Sequence, residues 1–331
     1  MGGCQNNGDD PLLELYCIVE NLDGAIVSAD TANYADHKLK SLGFSKGLNL
    51  GLPTKDIPYN TRLSWQPILK YESDINGGNP QRDLVVGNYV FRGDETRVRQ
   101  SGLLAGIGIN YIGSYFYGPG RYINLKLKKE YKHNFQHELS MDNYALSACS
   151  MNHVYNWWSL DFCFDENKNK KKFATNNSKN LSITGSKIIT LPYSSYSKFG
   201  VGIERYVDPN IQQNRMLVEF NAMLPEGKFA ALKVTTGRSV PTKLSLAHEF
   251  AISFSHALHG KPLTLRLSQA KYEGGKFFGL DWAETSNNIS VEYPLTPTLV
   301  ATLGFHKKTS SIAYFEEEAP IFGLYYKTFS F

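Results

Sequence analysis

Eight histidines, four cysteines and scattered acids are the groups in this 331-residue chain with chemistry to offer, and their spacing decides what they can share. The stretch HELS, His137 to Ser140, brings a base, an acid and a hydroxyl close together, the inventory of a hydrolytic site. In an extended strand, however, successive side chains point to opposite faces, so His137 and Ser140 do not meet. Asp142, Asn143 and His153 amount to a polar cluster near a strand end. His248 and His256 are eight residues apart. At ~3.3 Å per residue that is ~26 Å, too far for a shared metal and suited to two anchors at opposite interfaces. Cys4, Cys17, Cys149 and Cys163 contain no C-x-x-C pair, so no metal site is expected. In an oxidising compartment Cys149 and Cys163 close a loop around SMNHVYNWWSLDF; otherwise they are two buried thiols. The glycines of GVGIE and GIGIN lie in strands and lack the helix that a phosphate loop needs. No catalytic residue and no cofactor is expected, and the chain is not read as an enzyme.

The elements that hold these residues are written in a period of two. In KLSLAHEFAISFSHAL, Lys243 to Leu258, the even positions Leu244, Leu246, His248, Phe250, Ile252, Phe254 and His256 are large, while Ser245, Ala247, Glu249, Ala251, Ser253 and Ser255 are small or polar. NRMLVEFNAML, KFAALKVTTGR, LTLRLSQAKY and NISVEYPLTPTLVATLGF repeat the pattern, as do LLAGIGINY and RYINLKLKKEY nearer the start. LGFSKGLNLGL, from Leu42, is read as the first strand. Turns at Tyr117 to Gly120, Pro225 to Gly227, His259 to Pro262 and Leu295 to Pro297 are tight; DENKNKKKFATNNSKN, YEGGKFFGLDWAETSN and HKKTSSIAYFEEEAP read as long polar loops. Lys168 to Lys172 is read as a solvated part of one of them.

Two architectures bury such faces. A soluble sandwich puts the apolar face in a core and the polar face in water, where Lys, Glu and Thr should dominate. Here many polar-face positions are Gly, Ala or Ser, which suits the interior of a closed barrel whose apolar face meets lipid. The fold class expected is therefore all-β, a closed antiparallel transmembrane barrel of about 14–16 strands, with Leu246, Phe250 and Ile252 facing lipid. Lys126, Lys128, Glu130, Arg215, Glu219, Lys233, Glu249 and Arg266 are the predicted pore-lining residues. Tyr111, Tyr115, Tyr117, Tyr122, Trp157, Trp158 and Tyr293 are expected in the aromatic girdles. Composition agrees: 20 Tyr, 19 Phe and 28 Gly favour strands and tight turns. A net charge of +4 without a basic aromatic stripe gives no reason to expect nucleic acid. The richest apolar stretch, LLAGIGINYIGSYFYG, is broken by Asn110, Ser114 and glycines, so no spanning helix is expected. Nor does the start, MGGCQNNGDDP, read as a signal peptide. GGC there is either the junction of a lipoprotein, with Cys4 lipidated, or part of a disordered mature terminus.

The chain finishes IFGLYYKTFSF, with Phe331 last, Phe329 two before it and Tyr325 further back. That ending resembles the insertion signal of Gram-negative outer-membrane β-barrels. The resemblance implies residence in the bacterial outer membrane, contact with its lipid, and folding by the barrel-assembly machinery. YESDINGG, Tyr71 to Gly78, and the later YGPGRYINL are similar to the barrel domain of surface lipoprotein assembly modifiers, which implies a translocator. Residues 42–331 are expected to form the barrel, with 16 strands counted from the end, or 14 where Arg82 to Arg92 and His137 to Ser150 are ambiguous. Residues 1–41 are expected to be an arm, plug or disordered lead. The function read first is a passive channel or porin for small polar solutes. The alternatives are a translocator for lipoproteins or other exported cargo, and a surface structural or binding protein.

Overall fold

The computed structural model describes residues 59–326, apart from 87, 119–120, 156–157, 192–194, 225–227, 260 and 297. The strand expected at Leu42, Cys4, Cys17, Trp157 and the chain end from Lys327 all lie outside the described residues.

Alternation closes on itself. The wall starts with β1 (Tyr59–Glu72), leaves it for a hairpin of β2 (Asp83–Val86) and β3 (Tyr89–Arg92), and returns with β4 (Gly102–Gly118). It continues through β5 (Arg121–Asn134), β6 (Leu139–Tyr155), β7 (Trp158–Lys170), β8 (Thr175–Leu191), β9 (Ser195–Val207) and β10 (Gln212–Leu224). β11 (Lys228–Gly237), β12 (Ser245–Leu258), β13 (Lys261–Phe277), β14 (Leu280–Pro294), β15 (Leu299–Ser310) and β16 (Glu317–Tyr326) complete it. Each strand pairs antiparallel with the next, and β1 pairs with both β4 and β16, so the barrel has 14 strands. The seam with β16 runs from Ile68 opposite Tyr325 to Tyr71 opposite Phe322. Of the two ambiguous segments, Arg82 to Arg92 is the hairpin that stands off the wall and His137 to Ser150 belongs mostly to β6, which leaves fourteen strands rather than sixteen. Closure leaves no strand of the wall without a neighbour on either side, the condition that hydrocarbon imposes.

The faces follow the period of two. Leu63, Trp65, Ile109, Phe162, Leu181, Ile203, Met216, Phe250, Phe254, Leu267, Ile289, Leu303 and Phe305 are exposed on the outside. Together they make a continuous apolar belt. Near the loop end nine strands turn polar outside: Lys129, Glu166, Lys179, Arg205, Asn214, His248, Gln269, Asn287 and Lys307 stand next to belt residues on the same face. The three long polar loops expected from the sequence are corrected by this geometry. Asp165 to Lys170 and Thr175 to Asn180 are strand, as are Tyr272 to Phe277 and Asp281 to Asn287. The connections themselves shrink to 171–174, 278–279 and 311–316. Polarity on both faces marks wall standing clear of the belt, where neither side meets lipid.

One break in the period matters. The register shifts between Leu246 and His248 against β13. This bulge moves Leu246 off the outer face, where the sequence placed it, and leaves it 2% exposed. Past the bulge Phe250 and Ile252 keep the outer face expected of them.

Candidate functional site

The lumen is the site. The eight charged residues singled out in the sequence line cavities inside the barrel, and the register brings them together. Lys126, Lys128, Arg215, Lys233 and Glu249 line one cavity of about 730 Å³. Glu219, Lys233, Glu249 and Arg266 line a second of about 510 Å³. Lys128, Glu130 and Arg266 line a third of about 590 Å³. The shared residues join the three into one space.

Charges in that space fall into two groups. The first is spent within the wall. Lys128 and Lys132 both bind Glu130, the latter at 3.0 Å, and Asn143 Nδ2 donates to the same carboxylate at 3.3 Å. Arg215 lies 3.4 Å from Glu204 and stacks 3.8 Å from the Tyr206 ring, while Asn180 donates to Glu204 at 3.0 Å. Lys198 reaches Asp161 at 3.5 Å, and Arg266 reaches Glu292 at 3.3 Å. The second group is Lys126, Asp165, Glu219, Lys233 and Glu249, which form no ion pair among the described residues. Glu219 is opposite Lys233 in register without forming an ion pair with it. These five meet whatever enters the cavities.

Several lining residues escaped the sequence reading: Arg62, Asp165, Glu204 and Glu292. Arg62 lies on β1, whose alternating Leu63, Trp65 and Leu69 are the signal that was available. Asp165 sits in the polar extension of β7 that resembled a loop.

The mouth at the loop end is narrowed by the excursion 73–101. Ile75 packs into a buried apolar cluster with Leu104, Leu139 and Met141. The Asn76 carboxamide donates to Val98 O at 2.8 Å and accepts from Gly78 N and Gln100 N at 3.1 Å. On one side Lys171 binds Asp74 at 3.1 Å and Phe173 N donates to Asn76 O at 2.8 Å. Gly77, at φ +70°, turns there so tightly that a Cβ would stand 2.6 Å from Ala174 Cβ. On the other side Glu317 accepts from Ser73 at 2.8 Å and pairs with Arg99 at 2.7 Å. The hairpin β2–β3 then reaches the β13–β14 tip, where Phe91 stacks on Phe278 at 6.2 Å. Asp94 caps the 3-10 turn at Glu95–Arg97; the amide and hydroxyl of Thr96 hold its carboxyl below the ordinary carboxylate range.

Other candidates separate. His137 lies in the β5–β6 turn, whereas Ser140 Oγ contacts His133 Nδ1 at 3.0 Å and Tyr131 at 2.9 Å. Asp142 pairs outside with Lys129 while Asn143 turns into the lumen toward Glu130; the side chain of His153, on β6, lies outside the described residues. Cys149 and Cys163 are opposite each other in register and joined by a disulfide, with Cα atoms 4.1 Å apart. Tyr115, Tyr117 and Trp158 are exposed outside, and Lys187 and Lys261 lie over the Trp158 and Tyr293 rings. Tyr122 is the exception among the expected girdle residues. It shares a face with Lys126 and Lys128, is 2% exposed, and belongs to the interior.

Fold and lumen together define a 14-stranded transmembrane β-barrel with a charged interior. Among solved structures it is similar to the outer membrane protein OpdK from Pseudomonas aeruginosa, at 7% identity over 82% of this chain and 99% of that one, with a TM-score of 0.44. Acinetobacter baumannii OccAB3 aligns at 6% identity over 82% of this chain and 100% of that one, with a TM-score of 0.42. Pseudomonas aeruginosa OccK9 (OpdG) gives 9%, 82% and 98%, also at 0.42. No family model and no curated protein matches the sequence.

Proposed function

We propose that this chain is a passive outer-membrane channel for small polar solutes. The observation that carries the proposal is the group of charges that form no ion pair among the described residues, Lys126, Asp165, Glu219, Lys233 and Glu249, around cavities of about 730 and 510 Å³. Charges needed only to hold the wall are already paired. Free charges of both signs in a confined wet space attract solutes that carry either sign, without demanding a bound state deep enough to stop passage. An apolar belt outside, a wall that closes on itself, and short connections between strands at the end where β1 begins and β16 ends support placement in a bacterial outer membrane, with that end in the periplasm. Folding by the barrel-assembly machinery belongs to the same proposal and rests on the aromatic C-terminal segment.

Single-channel recording in planar bilayers is the test. The proposal expects stable ohmic conductance from the purified full chain. A barrel that inserts, resists heat on electrophoresis and conducts nothing would instead favour the translocator for surface lipoproteins or another exported cargo.

A further inference from the structure

The polar collar above the belt is unevenly charged. Over most of the circumference its cations are matched: Lys129 pairs with Asp142, Lys271 with Glu273 at 2.5 Å, and Lys307 with Glu318 at 2.5 Å. Across β7, β8 and β9 the balance fails. Lys168, Lys179 and Arg205 are all exposed there, and the acid among them is Glu166, 3.7 Å from Lys179. Lys168 and Arg205 form no ion pair among the described residues. Register makes the three neighbours. Lys179 is opposite Glu166, Lys168 is opposite Asn177, two residues from Lys179 on β8, and Arg205 is opposite Leu181, two residues the other way. The cations therefore form a diagonal row across three adjacent strands, with diagonal neighbours ~7–8 Å apart at Cα. Directly beneath Lys179 and Arg205 on the same outer face stand Leu181 and Ile203, 57% and 59% exposed, and below Lys168, past Glu166 and Phe164 on β7, stands Phe162, 44% exposed.

We propose that this row binds the phosphorylated headgroup of a lipid whose acyl chains lie on Phe162, Leu181 and Ile203. Two features fix the class of ligand. The excess positive charge is at the level where acyl chains end and headgroups begin, and the surface immediately below is apolar, so the site fits an amphiphile better than a soluble anion. Long Lys and Arg stems lie along apolar wall while their heads reach the phosphate plane, and an arginine adds two parallel donors for phosphate oxygens. Anionic headgroups gain from each basic side chain near the surface. Lys168, which the sequence assigned to a solvated loop, is thereby part of a lipid site. The inference rests on the membrane placement proposed above.

Native mass spectrometry of the full chain in detergent, titrated with bisphosphorylated hexa-acyl lipid A or its dephosphorylated form, tests it. The wild type should retain the phosphorylated lipid about tenfold or more better than the triple variant Lys168→Gln, Lys179→Gln, Arg205→Gln. The control Lys271→Gln, Lys307→Gln, on the matched part of the collar, should bind like the wild type. Should the triple variant fail to fold, each single substitution is expected to weaken retention about two- to fourfold. Equal retention by all forms overturns the inference. So does equal loss in the control, retention of the dephosphorylated lipid as strong as that of lipid A, or displacement by millimolar inorganic phosphate. Insertion into vesicles is scored in parallel. A wild type that fails to insert refutes the membrane placement, whereas one that inserts and shows no lipid preference refutes the headgroup site alone.

Discussion

Arginine placed at successive positions of β12 measures which face meets lipid and how deep each position lies. The outer face of this strand carries Phe250, Ile252, Phe254, His256 and Leu258. From Phe250 to Leu258 at ~3.3 Å per residue is ~26 Å along the strand, or ~20 Å along the normal for a tilt of ~40°. Phe254 is the centre of that run, between Ala230 and Leu265 in register, and is 39% exposed. Phe254→Arg should therefore cost about 2–4 kcal/mol, and Phe250→Arg, one position below the collar residue His248, about 0–1 kcal/mol. Ser253 adjoins them in sequence but faces the second cavity beside Arg266. Ser253→Arg should leave stability within about 1 kcal/mol, because water already solvates that face, and should narrow the conducting space. Reversible urea titration of folding into lipid vesicles supplies the energies, and bilayer recording supplies the conductance. Equal penalties for Phe254→Arg and Ser253→Arg, or a larger one for Ser253→Arg, would mean that the apolar face packs a core and not a bilayer.

Three further outcomes follow from the site. The 730 Å³ cavity is lined by five basic residues, Arg62, Lys126, Lys128, Arg215 and Lys233, against three acids, Asp165, Glu204 and Glu249. Reversal potentials in a salt gradient should show a weak anion preference, which Lys233→Glu, leaving four of each sign, should remove. Replacing both Cys149 and Cys163 by Ser opens a link across a sequence separation of 14 and should lower folding stability by about 2–3 kcal/mol in vesicle titrations while conductance stays unchanged. Glu317→Ala removes the acceptor shared by Ser73 and Arg99. Limited proteolysis should then cut within 73–101 faster than in the wild type, and current noise should rise.

What the sequence disclosed depended on whether each residue faced two different media. Inside the belt one face meets hydrocarbon and the other meets water, so Met216, Val218 and Phe220 alternate visibly with Leu217, Glu219 and Asn221, and face assignments for β10 to β15 come straight from the letters. Leu246 shows the limit. A single extra residue at a bulge leaves the alternating pattern intact on paper while it reverses the side chain's direction. Tyr122 fails for another reason: a tyrosine suits a girdle or a packed interior equally well, and only its register opposite Phe116 and Met151 places it inside. β1 was missed because Asn60, Arg62, Gln66 and Pro67 weaken its pattern, although Leu63, Trp65 and Leu69 keep it.

The same logic explains why strands up to 17 residues long vanished into apparent loops. A strand of 17 residues extends ~56 Å, whereas a tilted strand crosses the apolar layer in about 9–11 residues. The surplus of β13 and β14 is polar on both faces, because above the collar water lies inside and outside alike. The surplus of β7 and β8 is polar for the same reason. Each of these extensions stands on the end that carries the excursion 73–101, while at the opposite end the strands stop at or beside exposed apolar residues such as Tyr117, Ile123, Trp158 and Leu258. The barrel is therefore asymmetric about its belt. That asymmetry sets the two ends apart chemically: the tall wall carries lysines and acids of four strands on faces that hydrocarbon would not accept, whereas the opposite end keeps outward apolar residues up to its strand ends.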